Sequence, residues 1–325
     1  MFRRIASLLD PFLLALVATV VLASVLPARG AFVPLVDGAA DAGIVLLFFL
    51  HGAKLSREAI WEGARNWRLH LAVLAMTFAL FPLLGLAARA LPFLPVEFGA
   101  GLLFLALLPS TVQSSIAFTA IARGNVAAAV CAASFSNFAG IFVTPALVAL
   151  LMGGATGGFS WASAETIVLQ LLLPFVAGHL LRPWIGGFIA RHKAWVGKVD
   201  RGSILLVVYA AFGAAVVEGL WQRVAPLSLL VLTLVCLVML ALVLAATWQT
   251  AKAMKLPRED AIVLLFCGSK KSLASGVPMA GVLFPAASVG IVLLPVIVFH
   301  QLQLIACALI APRLGQRDPE QETAA

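Results

Sequence analysis

Two short stretches hold most of the polar chemistry found inside the apolar parts of this sequence. In "FCGSKKSLASG", residues 266–276, Ser269, Lys270, Lys271 and Ser272 run consecutively between the apolar "DAIVLLF" and "LASGVPMAGVLF". In "PSTVQSS", residues 109–115, Ser110, Thr111, Gln113, Ser114 and Ser115 follow a proline, between "AGLLFLAL" and "IAFTAIA". A serine beside a lysine is the raw material of a nucleophile and its base. An ammonium among hydroxyls and amides is equally a place to recognise an anion. Adjacent residues rarely reach nucleophile–base geometry, so recognition is the stronger reading. An intramembrane hydrolase using Ser269 or Ser272 with a lysine is the alternative, and a non-transporting regulatory membrane protein is a third class.

The surroundings of these stretches set the solvent. Of 325 residues, 62% are hydrophobic and only 11% charged, which excludes an ordinary soluble domain and indicates a polytopic membrane protein. The net charge of +8 is spread over short connections rather than gathered in a patch, so nucleic acid is not an expected partner; the lipid bilayer is. No GxxxxGK[ST] loop is present, which argues against an ATP-driven pump, and no cofactor motif is found. Cys131, Cys236, Cys267 and Cys307 lie in apolar runs without metal-ligand spacing.

Apolar runs predict ten spans near 10–28, 37–53, 69–90, 97–122, 125–152, 163–183, 202–220, 227–249, 259–284 and 286–312. The first residues imitate a secretory leader, but an uncleaved first helix fits the even span count. With the N-terminus inside, 17 of the 22 Lys and Arg fall on the cytoplasmic side. Only Arg29, Arg89 and Arg223 fall opposite, and Lys270 and Lys271 lie within a span. This bias predicts an integral protein of a bacterial inner membrane with both termini cytoplasmic. "REAIWEGARNW" and "IGGFIARHKAWVGKV" read as interfacial amphipathic connections, and residues 313–325 as a disordered cytoplasmic tail.

Ten spans split into two fives, residues 1–152 and 153–312, and an odd number per half inverts the second relative to the first. The expected fold is therefore all-α, with an inverted five-helix repeat. The interrupted spans occupy equivalent places, the fourth and the ninth. Pro109 removes a helix donor in one, and the run from Cys267 to Ser272 breaks the other. Each lysine costs about 2.5–3.5 kcal/mol at a bilayer midplane, so neither faces lipid. The half-helix N-termini at such breaks suit an anion, and hydroxyls such as Ser114, Ser115 and Thr77 suit a small cation. Asn137, His300, Gln301 and Gln303 add polarity on the adjoining spans. The expected substrate site thus comprises Ser110, Thr111, Gln113, Ser114, Ser115, Asn137, Ser269, Lys270, Lys271, Ser272, His300 and Gln301.

At these residues the chain resembles the bile acid:sodium symporter superfamily. "TFALFP" at 77–82, "IARGN" at 121–125, "VTPALVALLM" at 143–152 and the two breaks carry the likeness. The ninth-span pattern Cys267, Gly268, Ser269, Lys271, Ser272, Leu273, with Gly276 and Pro278, resembles a less characterised branch distinct from the true bile acid carriers. The resemblance implies crossed, broken fourth and ninth helices and secondary transport of an organic anion or amphipathic solute. It also implies sodium ligands where this chain has Phe266, Lys270 and Thr77, so Thr77, Ser114, Ser115 and Lys270 are the remnant of an ion site. Sodium coupling is expected to be altered or absent, with a lysine ammonium replacing one ion and with sodium or a proton as the open choices.

Overall fold

Seven apolar runs fold into helices long and apolar enough to cross a membrane: α2 (Phe32–Lys54), α3 (Trp67–Arg89), α6 (Val126–Met152), α7 (Val168–Arg191), α8 (Lys193–Val217), α10 (Pro226–Ala253) and α13 (Ala286–Gly315). Shorter helices complete the set in this computed structural model: α1 (Pro11–Val25), α4 (Val96–Leu107), α5 (Gln113–Ile121), the single turn α9 (Leu220–Arg223), α11 (Arg258–Gly268) and α12 (Leu273–Leu283). The structure describes residues 11–54, 66–152, 165 and 168–316, and all regular structure among them is helical. The leader-like residues 1–10, most of "REAIWEGARNW" and the tail beyond 316 lie outside the described residues.

The interrupted runs behave as their sequence demands. The fourth predicted span is two helices, α4 and α5, separated by non-helical residues 108–112; the ninth is α11 and α12, separated by 269–272. Beyond their first turns, the halves before the breaks are apolar all round and enclosed by protein. Leu102, Leu103, Phe104, Leu105, Ala106, Leu107 and Leu108 are all 0% exposed. In α11, Ile262, Val263, Leu264, Phe266 and Cys267 are equally buried. A helix without a polar face has no surface to offer solvent, so it becomes the centre around which the others pack.

The amphipathic connection expected at 185–199 does not form as a separate surface segment. The helices simply continue, α7 to Arg191 and α8 from Lys193, meeting at His192. Ile189 and Val196 supply the physical reason, because both are buried against Leu50 and Ala53 of α2. Burial of that face outweighs the interfacial character of exposed Trp184 and Trp195. Likewise α2 begins five residues before its predicted start, and α13 runs to Gly315, three residues into the expected tail.

Close helix contacts depend on missing side chains. A Cβ on Gly52 would sit 1.9 Å from Phe175 O, and one on Gly178 2.0 Å from Phe49 O, so α2 and α7 touch backbone to backbone. Gly140 of α6 gives room to Pro109, whose ring would meet an added Cβ at 2.7 Å. That contact seats α6 directly against the first break.

Candidate functional site

Breaking a buried helix releases carbonyls that water cannot reach, and each must find a donor. Here every carbonyl from 106 to 110 has one. Ala106 O and Leu108 O accept from Lys271 Nζ at 2.7 and 2.6 Å, and Leu107 O accepts from Thr144 Oγ1 at 2.7 Å. Pro109 O accepts from Ser272 N at 2.8 Å, and Ser110 O from Asn137 Nδ2 at 2.7 Å. The second break is answered from the first. Cys267 O accepts from Ser110 Oγ at 2.5 Å and Phe266 O from Ser115 Oγ at 3.0 Å, while Leu265 O accepts from Ser269 Oγ at 2.5 Å. The two breaks therefore cross and satisfy one another.

Lys271 Nζ has a third partner, Thr77 O at 2.8 Å. That carbonyl is free for a local reason. A wide π-type turn spans Met76–Leu80, in which Phe81 N bonds Met76 O. The N–H that would follow in this register belongs to residue 82, which is proline and has none. All three ammonium donors of Lys271 are thus used on main-chain oxygens, and the Phe81 ring lies 4.2 Å from the nitrogen. Thr77 enters through its backbone; its buried Oγ1 finds no hydrogen-bond partner among the described residues.

Lys270 is the opposite case. It is 0% exposed, and its Nζ has no hydrogen-bond partner among the described residues. The nitrogen lies 4.4 Å from the Phe118 ring centre and 5.5 Å from that of Phe266. Two adjacent lysines therefore occupy unlike environments, one a nest of carbonyls and the other a slot between aromatic faces.

Beside the crossing lies a cavity of about 840 Å³. One wall comes from α5, α6, α12 and α13, including the first turns of both helices that follow a break: Gln113 and Ser114, and Leu273, Ala274 and Ser275. The facing wall comes from α1, α2, α7 and α8, with Phe12, Phe48 and Phe175. At one end stand His51, Lys54, Asp200 and Arg201, with Lys54 and Asp200 joined as an ion pair. Ser272 caps α12 by accepting from Ser275 N at 3.1 Å, and Ser275 Oγ donates to Asn137 Oδ1 at 2.8 Å.

Of the residues expected to bind substrate, Thr111, Gln113, Ser114, Asn137, Ser272 and His300 line this cavity. Ser110, Ser115 and Ser269 are buried in the crossing, where they serve backbone carbonyls. Gln301 joins neither group, and its buried amide atoms lack partners among the described residues. The expectation that a lysine faces the solute is corrected: neither Lys270 nor Lys271 reaches the cavity wall, because carbonyls and aromatic rings enclose both nitrogens. Phe118 connects the two, since it covers Lys270 and also lines the cavity. The Ser/Lys pair needed by the hydrolase reading does not form, since Ser269 Oγ donates to Leu265 O and Ser272 Oγ to Ser275 Oγ.

Gln303, noted in the sequence for its polarity but left out of the expected site, holds the centre of the second break. Its Oε1 accepts from Lys271 N, and its Nε2 donates to Lys271 O, both at 2.9 Å. Its place one helical turn after His300 was the available signal, because His300 Nδ1 lies 2.9 Å from the same Nε2.

The chain is similar to known proteins over most of its length. The chain is 54% identical over 312 residues to the protein PA2026 of Pseudomonas aeruginosa, covering 95% of this chain and 93% of that one. It is 51% identical over 320 residues to YfeH of Escherichia coli, which its name proposes to be a symporter, covering 98% and 96%. Similarity at 24% identity over 276 residues extends to sodium/bile acid cotransporter 7 of Rattus norvegicus, covering 83% and 81%. The pattern of one transporter family matches residues 10–316, the whole of the helical body just described. With its crossed breaks, its apolar helices and this match, the chain belongs to the SBF-like CPA transporter family.

Proposed function

We propose that this protein is a secondary active transporter that moves an amphipathic organic solute bearing an anionic group, by alternating access. One observation carries the reading: the two broken helices cross at the wall of a large cavity, and the first turns of both trailing halves, α5 and α12, line it. Exposed N–H groups and the positive ends of two helix dipoles favour a negative charge there. Phe12, Phe48, Phe118, Phe138 and Phe175 offer an apolar body room to lie. Lys54 and Arg201 outnumber Asp200 at the far end.

Counting α4 with α5 and α11 with α12 as one span each, and adding α1, gives ten spans. They divide into halves 1–152 and 153–312 related by inversion, with the breaks at equivalent places. The charge bias supports a bacterial inner-membrane protein with both termini cytoplasmic, and the cavity end bearing Lys54, Asp200 and Arg201 is then the cytoplasmic one. Sodium coupling is altered or absent in this reading. An ammonium already sits among carbonyls at the crossing, and Thr77, Phe266 and Lys270 stand where the resemblance implies sodium ligands.

The test is flux into liposomes reconstituted with purified protein. A panel of organic anions, with a conjugated bile acid as the first probe, is measured with sodium inside and out, with potassium instead, and with a pH gradient at zero sodium. Saturable uptake that survives replacement of sodium is expected. Steep and specific sodium dependence would overturn the coupling reading, and the absence of saturable flux across the panel would favour the regulatory alternative.

A further inference from the structure

We infer that the solute is charged at both ends, and that Arg201 receives its second anionic group at the far end of the cavity. The inference rests on the proposed transport of an anionic amphipath and narrows its class. Asp200 is the one acidic side chain among the described residues lining the cavity, and Lys54 already pairs with it. Arg201, the next residue of α8, is exposed and lines the same space with no ion-pair partner among the described residues. Its guanidinium carbon stands 5.7 Å from the centre of the Phe12 ring, a contact that orients the group without using its N–H donors. A planar fork held this way meets a carboxylate, sulfonate or phosphate through two parallel hydrogen bonds. Gly197, one turn earlier on α8, also lines the cavity, and an added Cβ there would meet nothing within 4 Å. A head group therefore has room beside the fork.

The two anion-receptive ends are joined by an apolar path. Phe48 precedes Lys54 by roughly 9 Å along α2 at about 1.5 Å per residue. Phe175 O lies against Gly52 of the same helix, and the Phe175 ring centre is 6.0 Å from that of Phe138 on α6. Beside Phe138, Asn137 donates to Ser110 O in the first break and accepts from Ser275 Oγ in the first turn of α12. The aromatic lining thus runs from the neighbourhood of Lys54 to the trailing half-helices, and about 840 Å³ admits a body of several rings. An apolar tail pressed against Arg201 would strip water from the guanidinium and put nothing in its place. A second anion replaces that water.

The experiment measures binding calorimetrically to purified protein in nanodiscs of zwitterionic lipid. The probes are rigid disulfonates built on benzene, biphenyl and terphenyl with one sulfonate at each end, each against the monosulfonate of the same frame. A biphenyl and a terphenyl with both sulfonates on one end ring control for charge alone. At least one two-ended disulfonate is expected to bind about tenfold tighter than its monosulfonate, and Arg201→Gln is expected to abolish that advantage. No advantage at any length overturns the inference, as does an equal gain by the one-ended isomer or an advantage that survives Arg201→Gln. Monosulfonate binding without a two-ended advantage removes this inference alone. Failure of every probe to bind removes the anionic solute of the transport reading with it. Arg201→Gln changes an exposed side chain, and a monodisperse profile matching wild type confirms that its binding is compared on a folded protein.

Discussion

Gln303 holds the Lys271 peptide by both of its polar groups, Oε1 accepting from Lys271 N and Nε2 donating to Lys271 O at 2.9 Å each. The orientation of the amide follows from these bonds rather than from choice. Nε2 therefore also donates to His300 Nδ1, and the imidazole proton sits on Nε2. A residue on the cavity wall is thus joined through one amide to the centre of the second break.

Removing that amide orphans two buried backbone groups. Gln303→Leu is expected to cost about 1–3 kcal/mol for each, seen as a lower thermal midpoint in detergent. Gln303→Glu keeps the acceptor and loses the donor, so it should fall between Leu and wild type. A leucine variant as stable as wild type would show that the break keeps its shape unaided.

The two lysines should respond oppositely to the same substitution. Lys270 Nζ is buried with no hydrogen-bond partner among the described residues, a burden of roughly 2–7 kcal/mol on transfer scales that aromatic faces worth about 2 kcal/mol only partly offset. Lys270→Met is therefore expected to raise the thermal midpoint. Lys271→Met leaves three carbonyls without donors and should lower it by the equivalent of about 3 kcal/mol or more. Shifts of the same sign would refute this division of roles.

Contact between α2 and α7 makes a third prediction. Gly178→Ala drives a methyl to 2.0 Å from Phe49 O and must separate two helices of one cavity wall. A loss of about 1–3 kcal/mol is expected, read as poorer monodisperse recovery and a lower midpoint. Gly187→Ala, on the same helix with nothing within 4 Å, should be neutral or gain up to about 1 kcal/mol. Equal behaviour of the two alanines would remove the close approach as the cause.

Much of this was legible in the sequence, and what was not has physical reasons. Pro109 with its hydroxyl cluster and the charged run at 267–272 marked both breaks, because only a buried, protein-lined interruption tolerates such residues in an apolar span. "IARGN" also resolves into mechanism. Asn125 Oδ1 caps α6 by accepting from Ala128 N at 3.0 Å, and its Nδ2 donates to Asp260 Oδ1 at 3.0 Å. Asn66 donates to the other oxygen of the same carboxylate at 3.0 Å. The direction each lysine takes was not legible, since unwound backbone has no fixed rotation per residue and periodicity stops at the break. Neither was the pairing of Lys54 with Asp200, which depends on how α2 meets α8. The junction at His192 misled because aromatic and basic residues signal an interface until one knows that Ile189 and Val196 have a partner surface.

Five consecutive carbonyls at one break are held by four residues, two from the linker 269–272 and two from α6, and two oxygens of the facing break are held by Ser110 and Ser115 in return. Such a joint has no slack. With Lys271 as its rivet, the two breaks are held as a single block on one side of a cavity whose other lining comes from α1, α2, α7 and α8.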